Sequence, residues 1–275
     1  MTDIDAEGVS SNRDLWNAWT PHHVASEFYD VEGFVADPAS QPFDSIVREV
    51  IGDVSGRRLL HLQCHFGLDT LRLAQAGAHV TGVDFSHEAI VAARVLADRT
   101  GLQAVFVESD VRALPDEVPS AGFDIVYTSH GVLSWLPDLR PWAATVASRL
   151  APGGVFHVIE MHPALWVFDE ETPEPPLQVR YPYFPGAPLR FDEHGSYAAP
   201  DADVTAVSYS WAHTFEEIVG SLLAEGLVIE SLREYPKITW RHIPYMVQDD
   251  EGFWRLPPEL PELPLMFSLS ARKPG

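Results

Sequence analysis

Cysteine is almost missing from this 275-residue chain: Cys64 stands alone. A single thiol excludes an internal disulfide framework and fits a reducing cytoplasm. Positive charge is also scarce, with 18 Lys and Arg against 40 Asp and Glu and a formal net charge of -22. Partners with a phosphate backbone need clustered cations to displace counterions, so this balance argues against nucleic acid and against an anionic membrane. It otherwise speaks to solubility and not to fold. No apolar run reaches the length that spans a bilayer, and the opening Met1-Thr2-Asp3-Ile4-Asp5 lacks the basic flank of a signal peptide. The expectation is a soluble cytoplasmic protein. With 46% hydrophobic and 21% charged residues the mixture is ordinary for a globular chain, so disorder is not expected beyond about the first dozen positions.

A further absence concerns the loop after the first predicted strand. A dinucleotide dehydrogenase needs Gly-x-Gly-x-x-Gly there, so that the backbone can approach a pyrophosphate. Gln63 and His65 occupy positions where that motif needs small residues. What is present is Leu59-Leu60-His61-Leu62-Gln63-Cys64-His65-Phe66-Gly67, an amphipathic run, and Val80-Thr81-Gly82-Val83-Asp84. This reads as strand, tight loop, helix and a second strand ending in a carboxylate. Such a unit places the loop and Asp84 side by side at the carboxyl edge of a parallel sheet, where a nucleoside would sit with its ribose hydroxyls on Asp84.

The alternation of β-rich and helical runs continues to Glu160, the pattern of a parallel sheet covered on both faces. Strands are expected near 58–63, 79–83, 104–107, 123–128 and 155–160. Helices are expected from Gly67 to Gly77, from the Ser86 cap to Arg99, and over 138–150, ending in Ala151-Pro152-Gly153-Gly154. Residues 161–210 break the pattern: prolines alternate with Tyr181, Tyr183, Phe184, Phe191 and Tyr197. A long aromatic insertion beside a sheet's carboxyl edge is a candidate lid or substrate wall, or a loosely packed excursion. Helical spacing returns at 214–225, and 227–230 and 265–269 read as two closing strands. Upstream of the sheet, Trp16, Trp19, His22, His23, Phe28 and Tyr29 cluster in an arm that either packs as core or covers the site.

Five landmarks now stand in order: the His61 to Gly67 loop, Val83-Asp84-Phe85-Ser86, Glu108-Ser109-Asp110-Val111, Phe123-Asp124-Ile125-Val126 and Leu150-Ala151-Pro152-Gly153-Gly154. In that order they resemble the class I S-adenosylmethionine-dependent methyltransferases, in a bacterial small-molecule subgroup. The chain departs from that family's usual first motif: His61 replaces an acidic residue, and Gln63 and His65 replace glycines. The resemblance implies a Rossmann-like, mostly parallel seven-stranded α/β sheet with an antiparallel last strand and helices on both faces. It would be one domain, with an N-terminal arm (1–50), a cofactor-binding core (51–160), a substrate-side insertion (161–210) and a closing part (211–275).

The resemblance also implies S-adenosylmethionine as cofactor and S-adenosylhomocysteine as product. Gly67 and the backbone around Gln63 and Cys64 would hold the amino-acid end, Asp84 the ribose, Asp110 and the Val111 N–H the adenine, and Phe85 its face. His65 and Ser129 complete that set. A base is useful where the acceptor must lose a proton, and His130, Glu160 and His162 follow the fourth and fifth strands. Trp19, His22, Tyr29, Trp135 and Trp166 are expected to wall the acceptor pocket. No metal is expected, because His61, Cys64 and His65 lack a second Cys or His pair at zinc-like spacing.

The expected acceptor is a small aromatic or heteroaromatic metabolite, such as an indole or amine of a natural-product pathway, methylated on nitrogen or carbon. O-methylation of a phenol or carboxylate, a nicotinamide oxidoreductase and a cofactor-retaining cyclase are the alternatives. A homo-oligomer is compatible with all of them. On this reading Asp84→Ala abolishes cofactor binding, whereas His130→Ala or Glu160→Ala spares binding and slows transfer.

Overall fold

The computed structural model describes residues 2–275. A long helix α1 (Asp3–Val24) and two short ones, α2 (Val31–Ala36) and α3 (Ser45–Ile51), precede the sheet. Then come β1 (Arg58–Leu62), α4 (Leu68–Gln75), β2 (His79–Asp84), α5 (His87–Thr100), β3 (Ala104–Glu108), β4 (Phe123–Ser129), α6 (Leu139–Arg149) and β5 (Leu150–Met161). The insertion holds the hairpin β6 (Leu189–His194) and β7 (Thr205–Ser210). After it follow α7 (Phe215–Ala224), β8 (Val228–Tyr235), two short strands β9 (Val247–Gln248) and β10 (Trp254–Arg255), and β11 (Met266–Arg272).

Seven strands form one sheet in the order β3-β2-β1-β4-β5-β11-β8. β1 pairs in parallel with both β2 and β4, and only β11 runs antiparallel to its neighbours. The α/β architecture expected from the sequence is therefore the one observed, antiparallel strand included. Burial on both faces explains the continuous apolar runs: side chains alternate along a strand, so Leu60 and Leu62 face one core while Leu59 faces the other. On the first face Trp142 and Val146 of α6 and Leu222 of α7 pack over Val126, Phe156 and Val158. On the second, Ile46 and Val47 of α3 join Tyr127, Ile159 and Met161. The order reverses between β1 and β4, which opens a crevice at their carboxyl ends.

Several boundaries differ from expectation. β5 begins at Leu150, because the Pro152-Gly153 turn lies inside a strand whose register against β4 shifts near Phe123. β8 runs to Tyr235 and β11 to Arg272, since β-sheet pairing carries both beyond their apolar runs. Residues 2–12 are not a loose tail. Thr2 caps α1, Ser11 donates to the Val207 carbonyl, and Asn12 donates to the Tyr209 carbonyl while accepting its N–H. Gly8 is required for this docking, because a Cβ there would lie 2.8 Å from the Trp211 ring. The arm and the hairpin of the insertion thus form one cover, a long-range pairing that no local pattern announces. Among the described residues no helix is long and apolar enough to cross a membrane.

Candidate active site

The carboxyl ends of β1, β2 and β4 converge on a cavity of about 670 Å³ under the arm and hairpin. The β1 loop turns sharply: Gln63 and His65 sit at φ 55° and 53°, and Gly67 at 78°. Left-handed backbone disfavours Gln and His by about 1 kcal/mol each, so contacts of the loop must hold it. Asp84 supplies one such contact. Its carboxylate accepts the His65 N–H at 2.8 Å and the Ser86 N–H at 2.9 Å, and the residue is only 7% exposed. Burial pushes its pKa up to about 6, against the opposing pull of N–H groups from Ser86, His65 and Phe85.

The loop uses its own donors. The Cys64 N–H donates to Val83, the His65 N–H to Asp84 and the Gly67 N–H to Cys64, so these expected donors to a cofactor's amino-acid end are engaged within the protein. Gly67 does not line the cavity either. Its role is close packing, since a Cβ would lie 2.6 Å from Phe106 and 2.9 Å from Ala93. Cys64 lines the wall, but burial and the neighbouring Asp84 raise its thiol pKa well above the usual range, which leaves it an unreactive packing group. Gln63 is placed more usefully: Nε2 donates to Val132 O at 2.9 Å, while Oε1 is buried with no partner.

Phe85, Asp110, Val111 and Ser129 all reach the cavity. Asp110 closes a turn onto the Arg112 N–H and grips that guanidinium through both oxygens; burial alone would raise its pKa, but the bonds from Arg112 hold it below the usual range. Ser129 contacts His61 Nε2 at 3.3 Å, and His61 Nδ1 meets Thr70 at 2.9 Å. Burial, the largest influence, lowers the His61 pKa to about 4. His61 is therefore a neutral polar fixture, not a charge in place of the missing acid. Among the described residues no group of three or more His, Cys, Asp or Glu is arranged to hold a metal ion.

Two of the three expected bases lie elsewhere. Glu160, 2% exposed, accepts the N–H groups of Gly131 (2.5 Å), Val132 (2.7 Å), Leu133 (3.1 Å) and Met161 (2.6 Å). Both its oxygens accept backbone N–H groups, three of them from the loop after β4, and the residue does not line the cavity. His162 bonds Glu234 at 2.8 Å and the Ala164 N–H at 3.0 Å and packs on Phe215, away from the cavity. His130 does reach the cavity. It stands at φ 46°, meets Trp240 edge-on at 6.3 Å, and its Nδ1 is buried without a partner.

Glu160→Ala would strand several buried N–H groups, each costing about 1–3 kcal/mol. We expect a loss of roughly 3 kcal/mol or more in urea unfolding, together with weaker cofactor binding. That outcome replaces the sequence expectation that Glu160→Ala spares binding.

Trp19, Tyr29, Trp135 and Trp166 line the cavity as expected, but His22 does not. One residue further along α1, His23 Nδ1 meets His65 Nε2 at 3.2 Å inside an aromatic set with Trp16 and Tyr197. Tyr181 of the aromatic insertion also lines the wall; sequence reasoning missed Asp69, Arg72, Trp240 and His242, which line it too. Asp69 and Arg72 were legible as the exposed-looking face of α4, whereas the 239–242 segment carries no signal before folding.

Residues 60–156 match a methyltransferase domain family. The chain is 29% identical to a ubiquinone biosynthesis O-methyltransferase of Photorhabdus laumondii over 52% of its own length and 61% of that protein's. It is 32% identical to an uncharacterized methyltransferase of Synechocystis over 46% and 58%. The chain thus spans less than two thirds of these curated relatives. An S-adenosylmethionine-dependent methyltransferase structure from Mesorhizobium loti shares the fold, with a TM-score of 0.59, 22% identity, and coverage of 88% of this chain and 99% of that one. Over residues 60–156 the chain is similar to a methyltransferase domain, and its fold is shared with solved S-adenosylmethionine-dependent methyltransferases. S-adenosylmethionine is the cofactor of that class, and the residues fit it: a buried ribose-height carboxylate at Asp84, an unfilled acceptor at Gln63 Oε1, and Asp110 with Val111 beyond.

Proposed function

We propose that this protein transfers a methyl group from S-adenosylmethionine to a small, flat, partly apolar acceptor, aromatic or heteroaromatic. The observation that carries this reading is the cavity wall, where His130 stands with Asp84, Trp135, Trp166 and Trp240. When bound, S-adenosylmethionine supplies a methyl group already activated on a sulfonium. The chain has to align a nucleophile with it and exclude water. Asp84 and Asp110 hold the nucleoside, the arm and hairpin close over it, and the tryptophan faces accommodate a flat ring and favour nearby positive charge. His130 is the group positioned to take a proton from the acceptor.

The aromatic and acidic wall, to which Glu170 and Asp192 contribute, supports nitrogen or carbon as the accepting atom. Relatives named as O-methyltransferases support oxygen as the second reading. The test is incubation of the purified protein with S-adenosylmethionine and a panel of indoles, amines and phenols, read by mass spectrometry for a gain of one methylene. His130→Ala is expected to lower turnover of the accepted compound by about 100-fold and leave cofactor affinity within about twofold. Tight cofactor binding with no methylated product from any class would favour a non-methylating cyclase or binding protein.

A further inference from the structure

The amino-acid end of the cofactor carries an ammonium and a carboxylate, and two expected means of holding it are missing here. His61 stands where the family has an acid, is neutral, and has both nitrogens engaged. The N–H groups of Cys64, His65 and Gly67 are spent inside the loop. The counter-charges must come from side chains. Among the described residues only Arg72 and Arg112 bring a guanidinium or ammonium to the cavity wall, and Arg112 is bound to Asp110.

We propose that Asp69 and Arg72 form a clamp for the zwitterionic amino-acid end of S-adenosylmethionine, a reading that rests on the methyltransferase assignment. Both lie on α4, directly after the β1 loop, Asp69 in its first turn and Arg72 in its last, and both line the cavity. Asp69 belongs to the helix that follows the β1 loop, whereas Asp84 ends β2, and both line the one cavity. In this proposal an extended nucleoside amino acid anchored at Asp84 by its ribose has its far end at Asp69.

The donor and acceptor inventory fits. Arg72 Nη1 meets Asp69 Oδ1 at 2.7 Å and Nη2 meets Gln41 at 3.1 Å, but Nε is buried with no partner. A carboxylate satisfies such an idle guanidinium donor. Asp69 keeps Oδ2 free of hydrogen bonds among the described residues, and a carboxylate oxygen at the cavity wall suits an ammonium. Phe34 and Phe43 flank the Arg72 guanidinium at 5.9 and 6.0 Å and hold it in place. The pair is self-neutralised without ligand, and the zwitterion extends it into a four-charge square without net change in charge.

The experiment is calorimetric titration of wild type, Asp69→Asn, Arg72→Lys and Arg72→Gln with S-adenosylhomocysteine and with 5′-methylthioadenosine, which lacks the amino-acid end. Losing one charge-assisted contact is expected to weaken S-adenosylhomocysteine by about 10- to 100-fold. The affinity for 5′-methylthioadenosine is expected to stay within about twofold, with the smallest loss for Arg72→Lys. Wild-type-like affinity for S-adenosylhomocysteine in the Asp69 and Arg72 variants overturns the clamp. Equal losses for both ligands also overturn it, because they mark a distorted nucleoside site. A wild type that binds neither ligand overturns the methyltransferase reading and the clamp with it.

Discussion

Asp84→Ala is expected to weaken S-adenosylhomocysteine binding at least about 100-fold, the largest single effect on affinity in the molecule. Two charge-assisted hydrogen bonds to vicinal ribose hydroxyls contribute about 1.5–3 kcal/mol each, and both disappear. The same substitution releases the His65 and Ser86 N–H groups, which together hold the left-handed β1 loop and the start of α5. Asp84→Asn is a gentler test, because one carbonyl oxygen still accepts. The affinity also carries a pH signature. Burial first, opposed by backbone N–H groups, puts the Asp84 pKa at about 6, and the ionised form is the acceptor that the ribose needs. Binding therefore strengthens as pH rises through 6 and falls about tenfold by pH 5. Calorimetry at pH 5, 6 and 7.5 reads this directly, and a flat profile from wild type would remove Asp84 from the ribose site.

Lowering the pH from 7 to 5 is expected to destabilise the fold strongly. His23, His61 and His157 are 0%, 2% and 9% exposed, and burial lowers the pKa of each to about 4. In the unfolded chain they take up protons near pH 6.5. Because the unfolded state then binds more protons, their stability contribution is complete above pH 6.5 and is lost as pH falls toward 4. Each costs on the order of 2 kcal/mol at pH 5, so the three remove about 6 kcal/mol from a fold that typically holds 5–15. Asp84 works in the opposite sense: its raised pKa means protonation below 6 favours the folded state, returning about 1 kcal/mol. Urea unfolding at pH 7 and pH 5 checks the difference. A midpoint unchanged between them would mean that these rings are not buried neutral in solution.

The two predictions rest on residues of different legibility. Asp84 was readable because a β-strand that ends in a carboxylate, one βαβ unit after a tight loop, has a geometric consequence at the sheet edge. The alternation of β-rich and helical runs likewise announced a sheet covered on both faces, and Ser86 announced the start of α5. Glu160 was visible as a carboxylate at a strand end, but not that three successive N–H groups of the β4 loop would converge on it. His162 and His22 failed for a related reason. Their position along the chain was near the site, while side-chain direction on a twisted strand or helix depends on packing with distant elements.

The amino-acid sequence by itself determined the class of fold, the cofactor edge of the sheet and Asp84, because strand and helix periodicity and turn chemistry are local properties of the chain. Tertiary structure alone decided which polar groups face the cavity and which are consumed. It set the arm on the β6–β7 hairpin through Asn12 and Gly8, turned Glu160 inward to the loop, left Gln63 Oε1 and Arg72 Nε without partners, and brought Trp240 to His130 across more than a hundred residues of chain. The physical reason is that satisfaction of a buried donor or acceptor is a property of its final neighbours, and those neighbours come from parts of the sequence that no period or motif links.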